Sequence, residues 1–149
     1  MSSKVLKNVG NSWENVHPKE YKGDSPTSFC GVKRHELLGR EYSALNFETR
    51  FFELQPGGYS SLEYHIHPHT VIVIQGKGRV ILEDSITEIA PHDVVYVAPE
   101  AIHQFLADEQ QGLGFICIVD RDRDKPVQPG SEEISQRITN KAVLQAMQR

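Results

Sequence analysis

The chain has 149 residues, of which 38% are hydrophobic and 24% are charged, a balance typical of one globular domain. Its 16 Lys and Arg residues against 20 Asp and Glu residues give a formal charge of −4 at pH 7. This charge argues against a basic nucleic-acid-binding module and against attraction to anionic membranes. Three of the seven histidines fall within five residues, and this cluster is the most unusual feature of the composition.

Targeting and redox signals are weak. The first residues contain no apolar run typical of a signal peptide, and no segment approaches the roughly 18–20 apolar residues that cross a bilayer. Cys30 and Cys117 lie far apart in the sequence and form no closely spaced zinc motif. We therefore expect reduced thiols, a cytoplasmic location, and neither nucleic acid nor membrane as a partner.

The first 43 residues are polar and irregular, with Pro18, Gly23 and Pro26 interrupting any periodic pattern. This composition predicts an N-terminal arm, residues 1–43, that packs on the rest of the domain. Short strand pieces are expected near Phe29–Leu38.

The central block, residues 44–120, contains short apolar runs rich in Val, Ile, Phe and Tyr, separated by turn residues. β-Branched and aromatic residues favour strands, and many short strands at this spacing are typical of a sandwich or barrel. The block therefore predicts an all-β fold. The runs are Leu45–Leu54, Val71–Ile74, Arg79–Leu82, Ile86–Ile89, Val94–Val97 and Leu113–Val119.

The last part of the chain, residues 121–149, begins with alternating charge. A solvated turn is the simplest interpretation, and the alternative is that Arg121 or Arg123 forms ion pairs with the arm or with a partner subunit. After a linker at Pro126–Gly130, the pattern predicts one helix from Ser131 to about Gln148. Its apolar stripe, with Ile134, Ile138 and Ala142 four residues apart, could dock on the barrel or on a second chain.

The clustered histidines alternate with other residues. Glu63, His65, His67 and His69 would share one face of a strand, with neighbours in the row about 6.5 Å apart. Pro68 is expected to end or bend such a strand and to bring His69 back toward the others. Burying four such groups together without a metal ion would carry a large desolvation cost. The cluster therefore predicts a metal site.

The spacing of these residues resembles the first motif of the cupin family. That motif is Gly, five residues, His-x-His, three or four residues, Glu, six residues and Gly. Here Gly57, Glu63-Tyr64-His65, His69 and Gly76 match its spacing, with Glu63 in the first His position and His69 in the Glu position. A histidine in the Glu position, as His69 is here, resembles the pattern of small single-domain cupins that have a four-histidine metal site.

A second cupin motif, Pro-x-Gly-Asp followed by Pro-x-Gly-x-x-His, is matched loosely by Pro91-His-Asp93, Pro99-Glu-Ala101 and His103. The usual late Asn of the family is Ala107 here. The resemblance covers about residues 44–120. It implies a cupin β-barrel, a jelly roll or double-stranded β-helix, with the arm on one side and the helix after it.

The resemblance leaves two sets of metal ligands open. One set is Glu63, His65, His69 and His103; the other has His67 in place of Glu63. The first set fills each motif position with a competent ligand, and His67 then faces substrate as a catalytic base. A mixed set of oxygen and nitrogen ligands suits one divalent ion of Fe, Mn, Ni, Zn or Co.

Two functions follow as expectations from the resemblance. The first is a metal-dependent enzyme acting on a small molecule, of oxygenase (including dioxygenase), isomerase or decarboxylase type. The second is a non-catalytic metal- or ligand-binding module. Cupins of this kind often form homodimers, which is expected here too. Residues that could line the substrate pocket are Tyr59, Tyr96, Gln104 and Phe105.

Overall fold

A computed structural model describes residues 1–22 and 28–149, and its architecture confirms the predicted all-β cupin barrel. The elements of the described residues are β1 Asn8–Val9, β2 Ser12–Trp13, β3 Lys19–Glu20, β4 Cys30–Leu38, β5 Phe47–Tyr59, β6 His69–Gly76, β7 Gly78–Leu82, β8 Ser85–Ile89, β9 Val94–Val97, β10 His103–Ala107, β11 Leu113–Asp120, α1 Ser131–Arg137 and α2 Lys141–Ala146.

The strands form one curled antiparallel sheet in the order β8-β7-β10-β5-β11-β6-β9, with β4 paired to β5 beside this path. Alternate residues of the strands point into the curl, where side chains such as Phe52, Val71 and Phe115 form the main core. The long strands β5 and β11 pair over eight residues, from Leu113 opposite Leu54 to Asp120 opposite Phe47. These two strands therefore form the wall on which the interior is built.

The N-terminal part of the chain contributes a full strand to this sheet. Cys30–Leu38 is one continuous strand rather than short pieces, and it pairs with β5. The β1–β2 hairpin lies outside the sheet, where the Trp13 ring packs edge-on against Phe51 at 5.0 Å. Residues 23–27 of the predicted arm, including Gly23 and Pro26, lie outside the described residues.

The predicted C-terminal helix is two short helices, because the chain turns at Thr139 and Asn140. The Asp84 carboxylate accepts hydrogen bonds from the backbone N–H groups of Thr139 and Asn140, and the Asn140 side chain then caps α2. Ile134 and Ile138 are buried against the outer side of β7 and β10, so this part of the stripe docks on its own barrel. Ala142, the third predicted member, is exposed, and its neighbour Val143 is buried instead. Neither helix of the described residues has the length and apolar character needed to cross a membrane.

Candidate metal centre

Three histidines converge inside the barrel. His65, His69 and His103 each offer one ring nitrogen, and these three atoms lie within 4.8 Å of one another. The Nε2 atoms of His69 and His103 are 3.4 Å apart, and the three ring centroids are separated by 4.8 to 5.1 Å. This spacing allows a single ion to contact all three rings.

The other nitrogen of each ring already has a neighbour. His65 Nδ1 lies 2.7 Å from the His67 carbonyl oxygen, and His103 Nδ1 lies 2.8 Å from the Ala101 carbonyl oxygen. His69 Nδ1 lies 3.5 Å from the Cys117 sulfur. A carbonyl oxygen only accepts, so His65 and His103 carry their proton on Nδ1 and present an unprotonated Nε2. This tautomer is the one that a metal-binding histidine needs.

Burial keeps these rings neutral. It lowers the pKa of His65 to about 4, with a further contribution from repulsion by His103. Burial likewise holds the pKa of His69 far below its usual range and lowers that of His103. Since a metal competes with protons for each ring nitrogen, the lowered pKa values leave the site ready to bind an ion at neutral pH.

The histidines are positioned by a loop as much as by strands. The alternation of residues 63–69 predicted a strand, but His65 and His67 lie in the irregular connection between β5 and β6, and only His69 belongs to β6. Asp124 holds this connection in place, because its carboxylate accepts hydrogen bonds from the backbone N–H groups of Ile66 and His67 at 2.8 and 3.0 Å.

His67 lies beside the three converging rings. Its ring stacks on that of His65 at 3.7 Å between centroids, and its Nδ1 donates to Asp124 Oδ1 at 2.7 Å. The Asp124 carboxylate thereby fixes the proton on Nδ1 and leaves Nε2 as an acceptor. Backbone hydrogen bonds from Ile66 and His67 and the contact with the His67 ring hold the pKa of Asp124 well below its usual value.

Glu63 lies next to His103 but is engaged elsewhere. The two residues exchange backbone hydrogen bonds, His103 N–H to Glu63 carbonyl at 2.9 Å and the reverse at 3.1 Å. The buried Glu63 carboxylate forms an ion pair with the Lys22 ammonium group. Among the described residues, the group whose ligand atoms converge is the three histidines, and Glu63 is not part of it.

The four predicted pocket residues lie in different environments. Phe105 lines the cavity. Gln104 points the opposite way, where its side-chain amide bonds to the backbone of Ser60 and Gln148. Tyr59 packs against the cluster beneath the C-terminal helices, and Tyr96 is 62% exposed on the outer surface.

The cavity above the histidines has a volume of about 210 Å³ and carries an excess of positive charge. Its charged lining residues, apart from the histidines, are Lys22, Arg34, Arg50, Arg123, Glu63 and Asp124, which is four cations against two carboxylates. Of these six residues, sequence analysis assigned only Glu63 to the site. The strands and loops of the other five come together only in the folded barrel, so no local pattern marked them.

A family model described as the cupin domain matches residues 50–119. Together with the relatives below, this match shows that the chain belongs to the cupin family. A curated relative, the 1-methylthio-D-xylulose 5-phosphate methylsulfurylase of Rhodospirillum rubrum, is 35% identical over 123 residues, which cover 83% of this chain and 78% of the relative.

Solved structures give the same result. A cupin 2 domain-containing protein from Halorhodospira halophila is 38% identical with a TM-score of 0.77, covering 100% of this chain and 98% of that one. A cupin 2 conserved barrel domain protein from Rhodopseudomonas palustris is 31% identical with a TM-score of 0.80, covering 89% of this chain and 91% of that one.

The donor chemistry fits a divalent transition metal. Three imidazoles converge, each neutral in its buried setting, and two of them have a carbonyl oxygen that fixes the tautomer. Imidazole suits Zn, Cu, Fe and Ni, and the oxygen ligands that complete such a site suit Mn as well. His65, His69 and His103 could hold the ion, which leaves further positions for a carboxylate, water or substrate.

Proposed function

We propose that this cupin is a metal-dependent enzyme that removes a proton next to the carbonyl group of a small organic substrate. The observation that carries the proposal is the pairing of a three-imidazole cluster with an oriented base: His67 lies against His65, and its Nδ1 is bound to Asp124. When bound, the metal ion would act as a Lewis acid on the carbonyl oxygen.

In this reaction the metal ligands and the base have separate roles. His65, His69 and His103 hold the ion, and His67 Nε2 accepts the proton from the substrate carbon. The electron pair of the broken C–H bond moves toward the carbonyl oxygen, which gives an enolate. Asp124 stabilises the imidazolium that forms on His67 and prevents the ring from turning. Phe105, Phe52 and Phe115 line the same cavity and exclude water.

The substrate class is suggested by a relative and by charge. The name of the Rhodospirillum rubrum relative gives a phosphorylated ketose thioether as the compound on which that protein acts. Four cations against two carboxylates in the cavity lining favour an anionic substrate here as well. We therefore propose a phosphorylated ketose or a similar hydroxy-carbonyl compound as the substrate.

Hydrogen–deuterium exchange tests this proposal. We expect protein purified without chelator to contain about one transition-metal ion per chain and to catalyse exchange of the C–H protons of D-xylulose 5-phosphate in D2O, followed by NMR. Chelation should abolish the exchange. His67→Asn should lose at least about 100-fold in exchange rate and keep its metal, whereas the exposed His17→Ala should match the parent.

Other results would contradict the proposal. Exchange at the parent rate after chelation, or in His67→Asn, would exclude this reaction. Substrate-dependent O2 uptake without exchange would instead favour the oxygenase expected from the sequence. Metal binding without any turnover would favour the non-catalytic module.

Metal binding by two variants of the same protein distinguishes the two predicted ligand sets. We propose that Lys22 holds Glu63 in the metal-free protein and that Glu63 joins the three histidines only when a metal ion replaces this ammonium group. Glu63→Gln should then weaken metal binding about 10- to 100-fold, whereas His67→Asn should leave it within about threefold. The reverse result would select His67 as the ligand.

The expected homodimer and cytoplasmic location stay predictions. The outer face of β6 and β9 carries the exposed apolar side chains of Ile74, Val94 and Tyr96, which a second copy could cover. Sedimentation analysis of the parent and of Tyr96→Glu tests this: a dimer through this face becomes a monomer in the variant, and an unchanged mass excludes the face.

A further inference from the structure

Among the cavity cations and ion pairs of the described residues, Arg50 is the one without a carboxylate partner. Among the ion pairs of residues 1–22 and 28–149, Lys22 pairs with Glu63, Arg123 with Glu48 and Arg34 with Glu36, but none includes Arg50. The Arg50 Nε–H is buried without a hydrogen-bond partner. A guanidinium in this position costs free energy in the folded protein unless an anion joins it.

The sheet explains why Arg50 is left without an acid. On β5, Arg50 lies directly opposite Glu36 of β4 and Cys117 of β11, and opposite residues share a face. Glu36 is already committed, because its carboxylate contacts Lys19 Nζ at 2.7 Å and Arg34 Nη2 at 3.4 Å. The nearest acidic neighbour in the register is therefore neutralised by two other cations.

Contacts hold the Arg50 guanidinium in place without neutralising it. Its Nη2 lies 3.5 Å from the Cys117 sulfur, and its central carbon lies 5.0 Å from the centre of the Phe52 ring. Cys117 Sγ in turn lies 3.5 Å from His69 Nδ1. One sulfur atom thus separates the guanidinium from a ring of the three-histidine cluster.

Arg34 reinforces the positive charge on this wall. Arg34 belongs to β4, where it lies opposite Phe52 of β5 and lines the same cavity as Arg50. Among the described residues, its Nε–H is also buried without a hydrogen-bond partner. Both guanidinium groups line one cavity, and each offers the forked N–H donors that match the oxygens of a phosphate.

From these contacts we infer that Arg50, with Arg34 beside it, forms an anion subsite that binds the phosphate group of the substrate while the histidine cluster holds its carbonyl end. This inference rests on the proposed function for the identity of the substrate, but the subsite itself requires only the two arginines. It explains why a partly buried cation with no carboxylate partner among the described residues is kept in the barrel wall. It also predicts selection for phosphorylated over neutral ketoses.

Inorganic phosphate and a matched pair of sugars test the subsite. In metal-free protein, calorimetry should detect phosphate binding that weakens about 10- to 100-fold in Arg50→Gln and less in Arg50→Lys, which keeps the charge but loses the fork. The exposed arginine of β7 provides the control, so Arg79→Gln should bind phosphate like the parent. In metal-loaded protein, the preference for D-xylulose 5-phosphate over D-xylulose should fall by the same factor in Arg50→Gln.

A thermal melt distinguishes a binding role from a structural one. Without phosphate, Arg50→Gln should melt at about the same temperature as the parent, because a partly buried cation without an ion-pair partner among the described residues is removed. Phosphate should raise the melting temperature of the parent and not that of the variant. A variant that melts much lower without phosphate would assign Arg50 to the structure instead.

Two outcomes separate this inference from the proposed function. Arg50-dependent phosphate binding without metal-dependent exchange would refute the proposed reaction and leave the subsite standing. Metal-dependent exchange with an unchanged sugar preference in Arg50→Gln would overturn the subsite and leave the reaction standing. Equal losses in Arg50→Gln and Arg79→Gln would also overturn it, because the effect would then come from net charge alone.

Discussion

The two faces of β10 show how one buried strand serves both chemistry and packing. His103 and Phe105 face the cavity, whereas Gln104 and Leu106 face the cluster beneath the C-terminal helices. All four residues are buried, so burial alone does not distinguish the two faces. The difference lies in what happens to the buried polar atoms.

On the helix side every polar atom of Gln104 is satisfied. Its Nε2 donates to the carbonyl oxygens of Ser60 and Gln148, and its Oε1 accepts from the Gln148 N–H. On the cavity side, the Nε2 atoms of His69 and His103 lie 3.4 Å apart, and the Arg50 Nε–H has no acceptor among the residues that the structure describes. A buried polar side chain whose hydrogen bonds are all made, such as Gln104, is typical of a structural role. Several buried polar atoms that lack partners on one face indicate a place where a ligand binds.

The largest effect is expected from removing a cavity histidine. His69→Ala should lower metal affinity by about 1,000-fold or more, because one of three converging imidazoles is lost. Metal analysis after gel filtration measures the change. As a control, a thermal melt in the presence of a chelator should show that His69→Ala is folded. If His69→Ala kept a full equivalent of metal, the three-histidine centre would be refuted.

Truncating a buried side chain on the helix side should lower the free energy of unfolding and leave metal binding unchanged. Ile138→Ala removes a side chain that is 2% exposed, and we expect a loss of about 2–4 kcal/mol in the free energy of unfolding, measured with urea. Leu144→Ala, at a 39% exposed position of α2, should cost less than about 1 kcal/mol. If Ile138→Ala lost metal under native conditions, the two faces would not be independent.

Asp124→Asn should have a smaller effect confined to the base. Its amide oxygen, in the place of Oδ1, can still accept from the backbone N–H and the ring of His67. The NH2 group in the place of Oδ2 no longer accepts from the Ile66 N–H, and the charge that stabilises the His67 imidazolium is lost. We expect about 10- to 100-fold slower exchange with unchanged metal content. Asp122→Asn, whose side chain is 95% exposed, is the control, and equal losses in both variants would contradict the role of Asp124.

The smallest effect is a dependence of stability on pH. In metal-free protein the folded-state pKa of His65 is about 4, below the usual value near 6.5 in the unfolded chain. Between these values the unfolded chain binds more protons, so stability decreases as pH falls from about 7 toward 4. Thermal melts should show this slope, and His65→Asn should flatten it. An equal slope in the variant would contradict the assignment.

Much of the barrel could be predicted because its strands are local patterns. Runs such as Val94–Val97 are short stretches of strand-forming residues between turns, and the structure makes this run a strand with Val95 and Val97 buried. The break between the two C-terminal helices was missed, since its cause is Asp84, which lies 55 residues before Thr139. A contact at that separation leaves no local signal.

The candidate site shows the same division. The spacing of His65, His69 and His103 on the cupin motifs is visible in the sequence, but the charged run that contains Asp124 was interpreted as a solvated turn or an ion-pairing segment for Arg121 or Arg123. In the structure Arg123 pairs with Glu48 of β5 at 3.2 Å, while Asp124 reaches back to His67. The sequence did not indicate that Asp124 would meet a histidine 57 residues earlier.

The sequence by itself determined the strand-rich barrel and a cluster of metal-competent side chains, because alternation and motif spacing are properties of neighbouring residues. Only the tertiary structure decided which of those side chains converge and that Lys22 forms an ion pair with Glu63. It also decided that Arg50 has no carboxylate partner among the described residues. The physical reason is that burial and charge pairing are fixed between distant segments when the sheet curls. The histidine cluster was visible at once; its positive cavity was not.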